Sequence, residues 1–227
     1  MSAIVALTAQ NTTAVTSVHE LPPEFVLAQL DAVFDDIGVD AVKTGMLFSR
    51  RVIETVAIYL ADHRTPLVVD PVMVASSGAA LLQDDAVDAL VTQLFPLATV
   101  ITPNLHEATA LVGERGSRAE LARALYDFGA PAVIVTGGHG DEPGDLLYDG
   151  SDYVEISSER HDVAATHGAG CTHSATLAAL LARGDSLEQA ARGAARAAAE
   201  AVRHGLVELG AGEGTVDSSI RSPLTSS

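Results

Sequence analysis

The chain has 227 residues and a formal net charge of −17, with 30 acidic residues against 13 basic ones. So acidic a chain opposes binding to nucleic acid or to an anionic membrane, because both are negatively charged themselves. The hydrophobic fraction of 48% is ample for one large core and argues against global disorder. No run of about 18 apolar residues is present, so no segment is predicted to span a bilayer. The first residues also lack the positive charges of a secretory signal, and we expect a cytoplasmic protein.

Two residue types are nearly missing from the sequence. Cys171 is the only cysteine, so no intramolecular disulfide is possible, which is compatible with a reducing compartment. Lys43 is the only lysine, and all the other basic residues are arginine. This composition is explained by simple solubility or by adaptation to high salt, and we favour the halophilic interpretation because salt screens the self-repulsion. With one lysine, we expect phosphate chemistry to rely on backbone amides, helix N-termini and metal ions.

Short β-rich runs alternate with longer amphipathic stretches along the chain, which is the pattern of a parallel sheet with crossover helices. The predicted strands are, in chain order, residues 3–7, 40–43, 67–70, 100–102 and 133–136. Apolar residues recur at helical spacing between them, in residues 26–37, 52–60, 84–95 and 117–128. The sequence therefore predicts an α/β fold with a mainly parallel sheet.

The last third of the chain continues this domain. Asp149 and Gly150 lie between two tyrosines and predict a hairpin near one edge of the sheet. Two helices, residues 171–183 and 187–204, follow it. We assign residues 1–209 to one domain and residues 210–227 to a Gly/Ser-rich tail that we expect to be loosely ordered.

In open α/β sheets, ligands bind beyond the carboxyl ends of the strands. Five polar or glycine-bearing turns follow the predicted strands, and they begin at Thr8, Thr44, Asp70, Thr102 and Thr136. Each turn alone is weak evidence. Together they predict a ligand site along one rim of the sheet.

The strongest local signal is the run Gly168-Ala169-Gly170-Cys171, which opens an apolar helix. Its two glycines let the backbone approach a ligand closely, and the first free N–H groups of the helix, with the helix dipole, form an anion site. A cysteine at this place is expected to have a lowered thiol pKa. A tight turn into a helix, with a small buried cysteine, accounts for the same residues equally well.

Two further polar positions have two interpretations each. Asn104 and Glu107 form an N-cap and capping box, or they place an amide and a carboxylate where hydrated Mg²⁺ would meet phosphates. Asp70 either ends its strand or turns a carboxylate toward metal or nucleotide. No His/Cys/Asp cluster has the spacing of a zinc site, so His139 and His167 are interpreted as loop or nucleotide-side residues.

Two other residues are candidates for binding a heteroaromatic ring. Gln10 is a turn residue, or its amide pairs with the edge of a ring, since it offers both a donor and an acceptor. Met46 is a core residue, or it forms an apolar wall beneath such a ring.

Taken together, these motifs resemble the hydroxymethylpyrimidine kinase branch of the ribokinase-like superfamily, and the resemblance covers nearly the whole chain. The matching strings, in family order, are AQNT (9–12), KTGML (43–47), DPVMVASSG (70–78), TPNLHEA (102–108), GGH (137–139) and HGAGCT (167–172). Other ribokinase relatives carry aspartate where this chain has Cys171.

The resemblance implies a three-layer α/β/α fold and phosphorylation of 4-amino-5-hydroxymethyl-2-methylpyrimidine and its monophosphate, with ATP and Mg²⁺. It implies that Cys171 accepts the hydroxymethyl proton and that residues 168–171 form the anion hole. By the same resemblance, the pyrimidine contacts are Gln10, Met46 and Val72. The nucleotide side is formed by Asp70, Asn104, Thr136 and Gly138, with Glu107 organising Mg²⁺. We also expect a homodimer.

The chain departs from the family pattern at three places. Ala169 and Thr136 stand where the family usually has threonine and lysine. The family's opening glycine-rich segment, which helps to bind the pyrimidine, is not seen before Ala3. We therefore expect either an upstream start or a truncated chain with weak activity. A pyridoxine-type vitamin kinase and a shortened, inactive fold that only binds pyrimidine or nucleotide are the alternative functions.

Overall fold

The computed structural model describes residues 1–75, 77–137, 144–159 and 161–219. Its first element is a separate two-stranded antiparallel sheet formed by β1 (Ala6–Gln10) and β2 (Val15–Glu20). The hairpin turn closes on Asn11, whose Oδ1 accepts the backbone N–H groups of Thr13 and Ala14, each at 2.9 Å. Asparagine favours such turns because its side chain imitates a backbone acceptor.

This hairpin corrects the sequence prediction for the start of the chain. Residues 3–7 were expected to form a buried strand of the main sheet, and β2 was not predicted at all. In the structure β1 pairs only with β2, and most of its residues are exposed. A hydrophobic run as short as residues 3–7 is compatible with a strand of the main sheet or with a strand of a separate hairpin. The turn at Asn11 favours the hairpin.

The main sheet has six strands, and they follow one another in space in the order of the sequence. They are β3 (Val42–Thr44), β4 (Leu67–Val69), β5 (Val100–Ile101), β6 (Val133–Val135), β7 (Asp145–Tyr148) and β8 (Tyr153–Ile156). The first four strands are parallel to one another, whereas β7 pairs antiparallel with β6 and β8 pairs antiparallel with β7. The predicted parallel strands and the hairpin at the sheet edge are therefore confirmed.

Helices cover both faces of this sheet, so the fold has three layers. One face carries α1 (Pro23–Phe34), α2 (Arg50–Asp62), α3 (Ala86–Ala89), α4 (Leu105–Val112) and α5 (Arg118–Asp127). A π-helical turn over residues 90–94 and a 3₁₀ turn over residues 95–97 continue α3. The other face carries α6 (Ala169–Ala182) and α7 (Leu187–Arg203).

The alternation of side chains along the strands explains this layering. Val69 and Ile101 face the layer of α2 to α5, whereas Val68 and Val100 face α6 and α7. Successive residues of a strand point to opposite faces, so a strand that is apolar throughout needs helices on both sides. The sheet is accordingly buried on both faces.

Residues 211–219 of the predicted tail are more ordered than their composition predicts, and residues 220–227 lie outside the described residues. The N–H of Gly212 donates to Thr12 Oγ1 at 3.2 Å, which ties it to the β1–β2 turn. The N–H of Val216 donates to the carbonyl of His167 at 3.0 Å, and Val216 is buried. Hydrogen bonds to distant residues therefore order this segment, although its composition is typical of a loosely ordered tail. The domain division at Gly210 stays a prediction. Within the described ranges, no helix combines the length and apolar character needed to cross a membrane.

Candidate active site

The carboxyl ends of β3 and β4 and the start of α6 bring five ionisable or polar side chains together. They are Lys43, Asp70, Glu107, Cys171 and Ser174. Asp70 lies at the centre of this cluster, directly after β4, and only 6% of it is exposed. The sequence analysis had singled out Asp70, Glu107 and Cys171, so the structure brings three of its candidates into one place.

Asp70 is held by two neighbours. Lys43 Nζ lies 3.3 Å from Asp70 Oδ2, and Ser174 Oγ donates to the same oxygen at 2.8 Å. Gly45 makes room for the ammonium group, because a Cβ at that position would lie 2.8 Å from Lys43 Nζ. A buried carboxylate needs such partners to remain ionised.

Lys43 and Ser174 are the residues that sequence reasoning missed in this cluster. We had expected phosphate chemistry without lysine, yet the only lysine of the chain lies inside the candidate site. A single lysine kept at a strand's carboxyl end, among thirty acidic residues, is the signal that could have identified it.

The start of α6 has the geometry expected of an anion-binding turn. Gly168 precedes the helix with φ +91°, in the left-handed region that favours glycine. The N–H of Ala169 donates to the carbonyl of Thr166, and the N–H of Thr172 donates to the carbonyl of Gly168. The amides of Gly170 and Cys171 lie in the first turn between them, where a helix offers no acceptor of its own.

Cys171 reaches solvent at this helix start, but its thiol is crowded by protein atoms. This desolvation raises the thiol pKa above its usual value, and the carboxylates of Asp70 and Glu107 raise it further, whereas Lys43 lowers it. The direction is opposite to the lowered pKa expected from the helix start. Burial of the sulfur and the charges of the two nearby acidic groups account for this direction.

Asn104 and Glu107 form the predicted capping box at the start of α4. The N–H of Asn104 donates to Glu107 Oε2 at 3.0 Å, and the N–H of Glu107 donates to Asn104 Oδ1 at 2.9 Å. Burial raises the pKa of Glu107 to about 7, and the nearby charge of Asp70 raises it too, although the N–H groups of Asn104 and Met73 lower it. The capping interpretation is confirmed, and it also leaves the carboxylate facing the site.

Thr136 lies beside this cap, at the end of β6. Its N–H donates to the carbonyl of Pro103 at 2.9 Å, and Thr136 forms a parallel bridge with Asn104. The predicted nucleotide-side residues Asn104 and Thr136 are therefore neighbours. Gly138 and His139 lie outside the described residues.

The three residues expected to contact a pyrimidine belong to two different sheets. Met46 and Val72 are half-buried and follow the neighbouring strands β3 and β4. Gln10 lies on β1 in the small sheet, where it is exposed and its Oε1 accepts the hydroxyl of Thr8 at 3.4 Å. The expectation that the turn containing Gln10 follows a strand of the main sheet is wrong, while the binding role of all three stays a prediction.

No group of three or more His, Cys, Asp or Glu residues in the described ranges is arranged to hold a metal ion. A magnesium ion needs fewer protein ligands, since it usually takes one or two carboxylates together with water and substrate phosphates. Asp70 and Glu107 are two buried carboxylates close enough to raise the pKa of Glu107. This donor set fits Mg²⁺ bound together with a nucleotide.

The chain is similar to known proteins over most of its length. The family described as Phosphomethylpyrimidine kinase matches residues 1–217. The hydroxymethylpyrimidine/phosphomethylpyrimidine kinase of Rhizobium meliloti is 46% identical over 95% of this chain and 84% of its own length. The thiamine biosynthesis bifunctional protein ThiED of Geobacter sulfurreducens is also 46% identical over 95% of this chain. The chain spans 45% of the length of that bifunctional relative.

Solved structures show the same architecture. The pyridoxal kinase of Staphylococcus aureus in complex with AMP-PCP superimposes with a TM-score of 0.85 and 32% sequence identity. The match covers 98% of this chain and 83% of that kinase. A kinase crystallised with an ATP analogue thus has the same overall arrangement of layers.

Proposed function

Because this chain belongs to the phosphomethylpyrimidine kinase family, we propose that it phosphorylates 4-amino-5-hydroxymethyl-2-methylpyrimidine and then its monophosphate, with ATP as donor. Family membership makes the chain a phosphotransferase with the ribokinase-like fold, as the sequence predicted. The names of its relatives connect such kinases to thiamine biosynthesis. The alternatives of a vitamin B6 kinase or an inactive fold are not favoured by these names.

One structural observation carries the proposal. The only cysteine lies at the first turn of α6, beside the ammonium group of Lys43 and the carboxylates of Asp70 and Glu107. A proton acceptor, an amide-lined helix start and two carboxylates at one point are what phosphoryl transfer to an alcohol requires.

In the proposed reaction, the hydroxymethyl oxygen forms a bond to the γ-phosphorus while the bond between that phosphorus and the ADP oxygen breaks. The proton of the hydroxymethyl group passes to the sulfur of Cys171, whose thiolate Lys43 stabilises. The amides of Gly170 and Cys171 are placed to stabilise the charge on the transferred group. Mg²⁺, held by Asp70 and Glu107, would neutralise phosphate charge when it is bound.

Met46 and Val72 follow β3 and β4 and supply apolar surface next to Asp70, which supports their proposed contact with the pyrimidine. Asn104 and Thr136, paired at the ends of β5 and β6, are proposed to face the nucleotide. Met46, Val72, Asn104 and Thr136 therefore follow four neighbouring strands of the main sheet, whereas Gln10 lies in the small sheet.

Three expectations from composition and family stay predictions. We propose that the protein works in the cytoplasm, as a homodimer, and that its acidic surface is an adaptation to salt. Light scattering of the purified protein measures its molar mass in solution and so tests the homodimer.

The proposed activity is tested by incubating the protein with Mg²⁺, ATP and the hydroxymethyl pyrimidine, and by following mono- and diphosphate formation by mass spectrometry. Pyridoxal replaces the pyrimidine in a parallel reaction. We expect both pyrimidine phosphates and little pyridoxal phosphate. Faster turnover of pyridoxal, or ATP binding without any product, would contradict the proposal.

A further inference from the structure

A second buried polar group lies on the nucleotide side of the site, formed by Asp145 of β7 and His173 of α6. Asp145 Oδ1 accepts the N–H of Gly137 at 2.9 Å, and Asp145 Oδ2 lies 3.0 Å from His173 Nε2. One carboxylate therefore connects the residue after Thr136 with the helix that begins beside Cys171. The sequence analysis did not single out either member of the pair.

The pair is almost completely removed from water. Asp145 is 6% exposed and His173 is 4% exposed, and no partner for His173 Nδ1 is found in the part of the chain that the structure describes. Burying polar groups costs free energy unless they are well paired, and apolar side chains of similar size would stabilise a core at least as well. A partly unsatisfied pair in this position is therefore poorly explained by stability alone.

The backbone around Asp145 is packed too closely to shift. A Cβ at Gly137 would lie 2.1 Å from the carbonyl oxygen of Gly144. Gly144 itself has φ +98°, and a Cβ there would lie 2.5 Å from the carbonyl oxygen of Ile156. The carboxylate of Asp145 thus projects from a rigid support.

The start of α6 is attached to the sheet at two places. Ser174 donates to Asp70, which follows β4, and His173 contacts Asp145, which begins β7. β5 and β6 separate these two strands in the sheet. Attachment at two separated strands restricts the sliding and the rotation of a helix, whereas a single attachment leaves rotation free.

We propose that Asp145 and His173 are positioning residues, which hold the first turn of α6 in register with Thr136 and Gly137 so that both segments meet the same nucleotide. The inference rests on the proposed function, because it assumes that the amides of Gly170 and Cys171 face the phosphates. The pair touches no substrate in this scheme and acts through the helix. It would therefore affect the nucleotide more than the pyrimidine.

Two substitutions of similar size separate this role from simple packing. His173→Gln keeps an N–H donor that can reach Asp145, whereas His173→Leu fills the space without one. We expect His173→Leu to raise the Kd for AMP-PCP and the KM for ATP about tenfold, since small misplacements of catalytic groups cost factors of this order or more. The KM for the pyrimidine should change less than about twofold, because neither side chain is proposed to contact that substrate. His173→Gln should recover most of the loss.

Calorimetric titration with AMP-PCP gives the nucleotide affinity without any turnover. Ser186→Ala, which removes the N-cap of α7 beyond the C-terminal end of α6, shows what a moderate loss of stability does by itself. Unchanged AMP-PCP affinity in a folded His173→Leu protein would overturn the inference, and so would a His173→Gln protein as impaired as His173→Leu. If His173→Leu does not fold, Asp145→Asn serves instead, and parental affinity in that protein would equally overturn the inference.

The two hypotheses fail in different ways. If the parent binds AMP-PCP but phosphorylates no pyrimidine, the proposed function is wrong and the positioning role is still measured by the affinity series. If the parent phosphorylates the pyrimidine and the series shows equal affinities, only the positioning role is wrong.

Discussion

Lys43 interacts with two neighbours at once. It lies 3.3 Å from Asp70 and lowers the pKa of the Cys171 thiol, while Asp70 and Glu107 raise that pKa. The sulfur is therefore a weaker acid than an ordinary thiol when the site is empty. A cation brought by the nucleotide would act in the same direction as Lys43 and favour the thiolate.

This balance predicts how the thiol reacts in the free protein. Because Cys171 is the only cysteine, its alkylation by iodoacetamide at different pH values reports its pKa directly. We expect the midpoint of reactivity to lie above that of a free thiol and to rise further in Lys43→Met. In Asp70→Asn the midpoint should fall. A midpoint below that of free cysteine would contradict the charge arrangement described here.

The proposed proton acceptor predicts the behaviour of Cys171→Ala. We expect turnover to fall by about 10²–10⁴-fold, the usual contribution of a general base. AMP-PCP affinity should persist, because the amides at the start of α6 do not depend on the side chain. Cys171→Ser is the matched control for size, and turnover within a factor of a few of the parent in both variants would make the cysteine structural.

Glu107 predicts an unusual pH dependence of stability. Its pKa of about 7 in the folded protein lies above the ordinary value of 4.5, so the unfolded chain releases this proton first. The stabilisation from Glu107 is present at low pH and is lost as the pH rises through about 7, by about 3 kcal/mol at 1.36 kcal/mol per pKa unit.

Glu107→Gln tests this directly by urea unfolding at several pH values. We expect the parent, but not the variant, to become less stable between pH 4.5 and 7 because of this group. The Mg²⁺-dependent turnover of the variant should fall while the variant stays folded. If the variant is less stable than the parent at every pH but fully active, the carboxylate serves only as a helix cap.

At the level of elements, two capping boxes provide a matched comparison. Asn104 and Glu107 cap α4 within the site, whereas Ser117 and Glu120 cap α5 at the start of a helix that carries none of the site residues. Both boxes satisfy free N–H groups at a helix start in the same way. A difference in turnover between variants of the two boxes therefore isolates the contribution of the site.

We expect Asn104→Ala and Ser117→Ala each to lower the free energy of unfolding by about 1 kcal/mol, the usual cost of losing an N-cap side chain. Only Asn104→Ala should also lower turnover, because its cap orients Glu107 toward Asp70. Chemical denaturation and steady-state kinetics on both proteins check this. Equal kinetic losses in the two variants would contradict the assignment of α4 to the site.

The sequence predicted most elements because their signals are local. The continuous apolar runs of the parallel strands and the helical spacing of the apolar residues between them are both readable from neighbouring residues. β2 was missed because an exposed hairpin strand carries no strong hydrophobic alternation. The order of residues 210–217 was missed because it depends on pairing with the distant His167.

The candidate site was predictable to a similar extent. Asp70 and Asn104 follow strands, Glu107 and Cys171 lie in the first turns of α4 and α6, and the topology brings such positions together. Lys43 lies inside a predicted strand, and His173 lies inside a helix, so neither position looked like a ligand-binding turn. Their roles depend on which residues face them across the sheet, and this is a property of the folded chain.

The whole molecule carries a net charge of −17, which predicts a dependence of stability on salt. Like charges repel across the folded surface at low ionic strength, and this repulsion is screened as salt is added. We expect the Tm to rise steeply between dilute buffer and molar KCl. Sucrose at matched osmolality is the control for excluded volume, and a Tm indifferent to KCl would contradict the halophilic interpretation.

The only ε-amino group of the chain, that of Lys43, belongs to the candidate site, and this has a practical consequence for chemical labelling. Aldehydes and activated esters react with lysine side chains, which most proteins carry in many places on their surface. This chain has a single lysine side chain, that of Lys43, which is 20% exposed and lies beside Asp70. Apart from the α-amino group of the chain, an amine-reactive ester would therefore react at the site rather than elsewhere on the surface. For the same reason, a reporter group can be attached selectively to the side chain of Lys43, and its signal would respond to events at the candidate site.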